Sequence, residues 1–188
     1  DLQKQGLTNV SLKRKLKQNQ DITILAASYN QITSCKEIAP LSNVKELYLN
    51  TNKITSIQSL SACQNLSILV LSDNKLQDIG ALQALSDLTI LDLSDNPKIT
   101  KIHCLSSLTK LQFLLLQNTG CSRKEISYLQ KKLPRVLSFI SNLMICTLNS
   151  QKRSCRSLLS AMQNNSFVNS LEKQMPALLS LAWILELL

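Results

Sequence analysis

Between residues 21 and 121 the apolar positions recur in one frame, marked by Asn30, Asn52, Asn74 and Asn96 at intervals of 22 residues. Around them the chain reads LAASYNQI, LYLNTNKI, LVLSDNKL and LDLSDNPKI. A fifth turn, LLLQNTGC, puts Thr119 in the asparagine place after a one-residue lengthening at Pro97-Lys98. Other columns keep the same register. Leu25, Leu47, Leu69, Leu91 and Leu114 form one, and Ala27, Leu49, Leu71, Leu93 and Leu116 another. On the return side, Cys35, Ile57, Ile79 and Ile102 align, followed by Ile38, Leu60, Leu82 and Leu105. A fixed period of this length marks a solenoid, in which each unit buries its apolar face only against its neighbours.

Within each unit the Leu-x-Leu alternation predicts a short strand with leucines toward the core and the intervening side chains outward. Stacked units then form a parallel sheet, giving an α/β solenoid. Asparagine suits the turn out of the strand. Main-chain groups buried there need partners, and a side-chain amide both donates and accepts. Thr119 does this less completely, which suits the end of an array.

The frame resembles the short leucine-rich repeats of the protein phosphatase 1 regulatory subunit, of dynein light chain and of bacterial internalins, over about residues 21–138. The resemblance implies a protein-interaction scaffold whose partners dock on the concave face of the strands. Similar arrays occur among effectors that intracellular bacteria such as Legionella deliver into host cells, and the Ser-, Gln- and Lys-rich composition is similar to theirs. On that resemblance the chain is expected inside a cell, in the cytoplasm, reached by secretion into a host if it is an effector.

The array needs caps at both ends. Residues 1–20 are expected to supply an N-terminal helical cap, with Leu12 and Leu16 facing the first repeat and Lys13, Arg14, Lys15 and Lys17 in solvent. The five repeats occupy 21–121. In 122–139, Ser122 with Glu125 three residues on forms a capping-box pattern, and Ile126, Leu129 and Leu133 share a helical face that Pro134 ends. Arg135–Phe139 is expected to supply a final strand. Residues 140–188 leave the repeat and read as helices: one with Leu143, Met144 and Leu148, one with Leu158, Leu159 and Met162, one opened by Pro176. The last is apolar nearly all round, but its 13 residues, with Glu186 inside, fall short of the roughly 20 needed to span a bilayer.

Composition agrees with stacked aliphatic layers: 44% of the 188 residues are hydrophobic and only 4% aromatic. The net charge of +9 would suggest a nucleic-acid binder were it evenly spread, but the repeats themselves are almost neutral. The excess lies in residues 1–20 and 120–188, so an adaptor for nucleic acid or an anionic membrane, acting through basic ends, is the alternative to protein binding. Six cysteines without close pairs suggest neither a zinc site nor a compact disulfide framework; buried thiols in a reducing compartment are expected. No charged-then-apolar signal sequence opens the chain, and a start at Asp1 leaves open both its removal by processing and secretion by a route that lacks one.

Reading the outward strand positions one repeat at a time gives two rows: Ile24, Glu46, Ile68, Ile90 and Phe113, then Ala26, Tyr48, Val70, Asp92 and Leu115. Ile24, Tyr48, Ile68, Val70, Ile90, Asp92, Phe113 and Leu115 are the candidate partner-binding residues, because water-facing strand positions have no packing reason to be large and apolar. The competing readings are β-propensity on a curved sheet, and cover by the chain's own C-terminal helices or a second copy. Two further rows are polar: Ser28, Asn50, Ser72, Ser94 and Gln117, then Tyr29, Thr51, Asp73, Asp95 and Asn118. Asp73, Asp92 and Asp95 make an acidic edge that either selects a basic segment or is an ordinary polar turn. It lacks the ligand count calcium requires.

No catalytic chemistry is visible. His103, the single histidine, stands beside Cys104, and no phosphate-cradling glycine loop, nucleophile elbow or zinc-protease motif occurs. Some bacterial repeat proteins append a ubiquitin-ligase domain with a catalytic cysteine. Cys146 and Cys155 lie in that direction, but the remaining stretch is too short to hold one. No cofactor or metal is expected.

Overall fold

A repeat of 22 residues leaves room for little more than a three-residue strand and a tight return. The computed structural model, which describes residues 1–17, 19, 21–133, 136–139 and 144–145, has that form. Strands β1 (Ile24–Ala26), β2 (Glu46–Tyr48), β3 (Ile68–Val70), β4 (Ile90–Asp92) and β5 (Phe113–Leu115) pair in parallel, each with the next. Leu25, Leu47, Leu69, Leu91 and Leu114 stand opposite one another in register, all at most 3% exposed. Short 3-10 turns at Gln58–Ala62, Gly80–Ala84 and His103–Ser107 close the return sides and carry Leu60, Leu82 and Leu105 into the core. An α-helix there would need more chain than one repeat provides.

The asparagine column behaves as its chemistry predicts. Asn74 donates from Nδ2 to the carbonyls of Leu49 (3.0 Å), Leu71 (3.0 Å) and Ser72 (3.2 Å), while its Oδ1 accepts from Ile54 N–H at 2.9 Å. Asn52 and Asn96 repeat the arrangement one turn earlier and one later. Each asparagine thus closes its own turn and the preceding one. Thr119 donates only to Leu116 O, within its own turn, at 2.8 Å.

At the N-terminus the chain departs from a purely helical cap. Helix α1 spans Asn9–Leu16 and buries Leu12 and Leu16, leaving Lys13, Arg14, Lys15 and Lys17 exposed. Before it, residues 2–7 reproduce the second half of a repeat. Leu2 and Lys4 donate to the carbonyls of Ala26 and Ser28, and Asn30 Oδ1 accepts from Gln5 and Leu7 N–H at 3.1 and 2.9 Å. Leu2-x-x-Gln5-x-Leu7 is the repeat frame with glutamine in the asparagine place.

At the other end, helix α2 (Arg123–Lys132) buries Ile126 and Leu129. Ser122 Oγ accepts from Glu125 N–H, but the Glu125 carboxylate does not return to the cap. It accepts instead from Ile102 N–H at 3.0 Å and ties the helix to the last return. The capping box expected from the sequence is therefore half formed, because a buried main-chain donor of the fourth repeat is the better partner. Strand β6 (Leu137–Phe139) continues the sheet in parallel, and β7 (Met144–Ile145) adds to it antiparallel. Met144, expected in a helix, is thus in a strand: its two-residue segment pairs with the open edge of β6, a tertiary partner that helical periodicity cannot foresee. The other helices expected in 147–188 lie outside the described residues. Among the described residues, no helix is long and apolar enough to cross a membrane.

Candidate functional site

Strand register places the outward side chains in files. Glu46 stands opposite Ile68, which stands opposite Ile90; Tyr48, Val70, Asp92 and Leu115 make the second file. The eight candidate residues fall on this one face in two adjacent rows. Their exposure differs from the sequence expectation. Ile24 is 56% exposed and Phe113 half-buried, but Tyr48, Ile68, Val70, Ile90, Asp92 and Leu115 are all at or below 7%. Part of that cover is lateral. Interior members of a row are flanked on both sides by neighbours about 4.8 Å away, whereas Ile24 opens its row and has a neighbour on one side only.

Polar groups on the face are tied down locally. Tyr48 donates its hydroxyl to Glu46 Oε2 at 2.8 Å; burial, with that carboxylate's hydrogen bond and charge adding to it, drives the phenol pKa well up. Asp92 is 3% exposed, and its Oδ1 accepts from Ser94 N–H at 2.9 Å. Burial is the largest influence on it and raises its pKa; bonds from Ser94 and Ser72 pull the other way, and the nearby Asp95 charge raises it further. Ser94 Oγ donates to Gln117 Oε1 at 2.6 Å, linking the third row across β4 and β5.

The fourth row forms a rim. Tyr29, Thr51, Asp73, Asp95 and Asn118 all have φ between 52° and 58°, and Lys4 of the half repeat joins them at 54°. Aspartate and asparagine tolerate this left-handed region, lysine and tyrosine less well, and the β-branched Thr51 is an outlier. Tyr29, Asp73, Asp95 and Asn118 are exposed. Lys4 Nζ lies over the Tyr29 ring, 5.2 Å from its centre, and Asn118 Nδ2 donates to Asp95 Oδ1 at 2.7 Å. The sequence hides the place of Lys4 because Gln5 stands where the frame has asparagine; the Leu2–Leu7 spacing is the signal that reveals it.

The repeats, their parallel register and the asparagine ladder decide the fold. It is a leucine-rich-repeat solenoid. The family model for leucine-rich repeats in two copies matches residues 64–108. Among solved structures, internalin C2 from Listeria monocytogenes is similar at 31% identity and TM-score 0.62, over 67% of this chain and 54% of that one. A leucine-rich-repeat protein of Leptospira interrogans is similar at 30% identity and TM-score 0.62, over 68% of this chain and 33% of that one. TLR13, solved in complex with ssRNA13, is similar at 28% and TM-score 0.62, over 73% of this chain and 20% of that one. The chain thus spans between a fifth and just over half of these proteins. No curated protein matches it.

The remaining chemistry of the leucine-rich-repeat array is sparse. His103 Nδ1 sits 3.8 Å from Glu125 Oε2 with its side chain 62% exposed, at the capping helix and away from the strand face. Among the described residues, no group of three or more His, Cys, Asp or Glu is arranged to hold a metal. Cys35 and Cys63 are buried free thiols; burial, and secondarily the Cys63 charge, pushes the Cys35 pKa up to about 12.

Proposed function

We propose that this chain is a protein-recognition module whose partner docks on the outward face of the strand sheet. The observation that carries this is the make-up of its two central rows: Ile24, Tyr48, Ile68, Val70, Ile90, Phe113 and Leu115 point away from the leucine core, in register, on one surface. A face of this kind is apolar at its centre and polar at its rim, which is the composition of a protein interface. Ile24, which is exposed, and Phe113, which is half-buried, are the members of these rows that a partner can reach directly. Leucine-rich-repeat neighbours are in general binding modules and receptors, which supports a binding role.

The Listeria and Leptospira relatives are bacterial, and we extend the reading to a bacterial protein directed at a host, acting inside the host cell. The free, buried thiols of Cys35 and Cys63 suit a reducing compartment.

The test is capture of a partner by the full chain and by two variants. Ile24→Asp with Phe113→Asp alters the accessible members of the face and leaves the core untouched; Ile68→Ser with Ile90→Ser probes its centre. Loss of a specific partner with the first variant, at unchanged thermal stability, is the expected result. Retention with both, while they stay folded, moves the site to another surface.

A second reading puts an anionic partner, nucleic acid or membrane, on the basic ends, where α1 exposes Lys13, Arg14, Lys15 and Lys17 beside Val10. The ssRNA13 bound by TLR13 supports keeping it. It requires binding that falls steeply with salt.

A further inference from the structure

The two sides of the first repeat are covered unequally. On the return side helix α1 buries Leu12 and Leu16, and Ile32, Cys35 and Ile38 of that repeat are fully buried. On the strand side the cover stops short. Val44, Leu66, Leu88 and Leu111 form one column of the array and are buried, whereas Ile22 in the same column is half-buried and Ile24 is exposed. Beside β1 lies an open cavity of about 390 Å³, lined by Leu2, Leu16, Ile22 and Leu25, with Lys15 and Asp21 among its polar members.

Main-chain groups face the same opening. The odd-numbered residues of this stretch bond to the β2 repeat: Ala27 N–H donates to Tyr48 O, and Thr23 O accepts from Glu46 N–H. Alternation turns the N–H and C=O groups of Ile24 and Ala26 to the other edge. There Ala26 O and Ser28 O accept from Leu2 and Lys4, the same bonds that Ala27 and Tyr29 make to Tyr48 and Asn50 one repeat later. The half repeat thus runs along the far part of this edge as a parallel neighbour. Ile24 N–H, Ile24 C=O and Ala26 N–H have no partner among the described residues. Nor does β1, which reads Ile24-Leu25-Ala26, carry the charges or prolines that commonly protect an edge strand.

We infer that the edge of β1 is a binding site for an extended peptide segment of a partner, which adds as a parallel strand and puts two apolar side chains, three residues apart, into the cavity. The occupant is a strand because an extended main chain presents donors and acceptors at the spacing of these edge groups. Its direction is that of Leu2 and Lys4, which already continue the parallel ladder. The side-chain requirement follows from the repeat frame. Ile22 and Leu25 stand in the columns of Val44 and Leu47, so a strand added in register sets its own apolar pair against them. This surface goes beyond the outward face of the sheet and meets it only at Ile24.

The probe is a labelled peptide with the sequence of residues 64–69, QNLSIL, whose two leucines hold the equivalent columns in the third repeat. Titrated into the isotope-labelled full chain, it is expected to shift the amide resonances of Ile24 and Ala26 and to slow their exchange with solvent. Ile24→Pro removes an edge N–H and leaves the β1–β2 bonds in place; it should weaken binding by about tenfold or more. Ile22→Gln makes the cavity polar and should weaken binding as well, which tests the site even where proline disturbs β1. A peptide with serine at both leucines is expected not to bind, and Phe113→Asp to leave binding of the probe unchanged. No shift at Ile24 and Ala26 with excess peptide, equal binding of the serine peptide, full binding by both edge variants, or loss in Phe113→Asp overturns the inference.

Discussion

The side-chain oxygen of Asn74 and the main-chain N–H of Ile54, twenty residues earlier, meet at 2.9 Å inside the array. That bond crosses from one repeat to the one before it, so the side chain is part of the stacking and not merely of its own turn. Replacing Asn74 with Ala strands this buried N–H and the carbonyls of Leu49 and Leu71. The expected loss is about 2–4 kcal/mol, a few buried groups at roughly 1–3 kcal/mol each with partial relaxation. Urea unfolding of Asn74→Ala measures it; a loss below half a kcal/mol would show that water or a shift of the turn replaces the amide.

Thr51 holds φ at 54°, where its branched side chain crowds the main chain. Asp73 and Asp95 hold the same conformation with less strain. Thr51→Asn should therefore stabilise the fold by about 0.5–1 kcal/mol, seen as a rise in melting temperature. A fall would show that the threonine hydroxyl or methyl makes a contact that matters more than its backbone.

Asp92 links stability to pH. Its folded-state pKa lies above the unfolded-state value, so the folded chain binds this proton more tightly. The contribution is complete below the ordinary carboxyl value near 3.9, and it is lost as pH rises through the folded value. Asp92→Asn keeps an acceptor for Ser94 N–H and removes the charge. We expect it to be more stable than the parent at neutral pH and to lack this pH dependence, as chemical unfolding across the acidic range will show.

Cys35 provides a probe of opening. With its thiol pushed up to about 12 and no exposure, it should resist alkylation at mildly alkaline pH while the array is folded. Its titration favours folding below the unfolded thiol value and is lost as pH rises from there toward 12. Mass spectrometry of alkylated peptides should find Cys35 modified only at the rate of unfolding, and rapid labelling in native buffer would contradict its place in the core.

Much of this fold is legible in the sequence, for a physical reason. A solenoid repeats one packing solution, so Leu47, Leu69 and Leu91 each report the same environment and chance agreement is averaged away. Strand positions, core columns and the bonding of the asparagines followed directly. What failed was whatever occurs once. Gln5 in place of asparagine hid the half repeat. Glu125 had two candidate partners three residues and 23 residues away, and local spacing could reveal only the first. Met144 has the neighbours of a helix and the pairing of a strand. On the strand face the rows were legible, but the burial of Val70 and Leu115 was not, because exposure depends on everything above a residue and sequence period reports only which way it points.

Because every internal asparagine reaches back with the same atoms to the same places, the middle turns are interchangeable cassettes. Excising residues 53–74 would bring Asn96 against Leu49 with its bond to Leu76 intact, and the outward rows would shorten by one rung without changing their alignment. The array can thus be lengthened or trimmed by whole units during evolution, each step altering the reach of the binding face and leaving its interior unchanged. The relay stops at Thr119, which bonds only within its own turn; growth belongs to the interior of the array and not to its capped end.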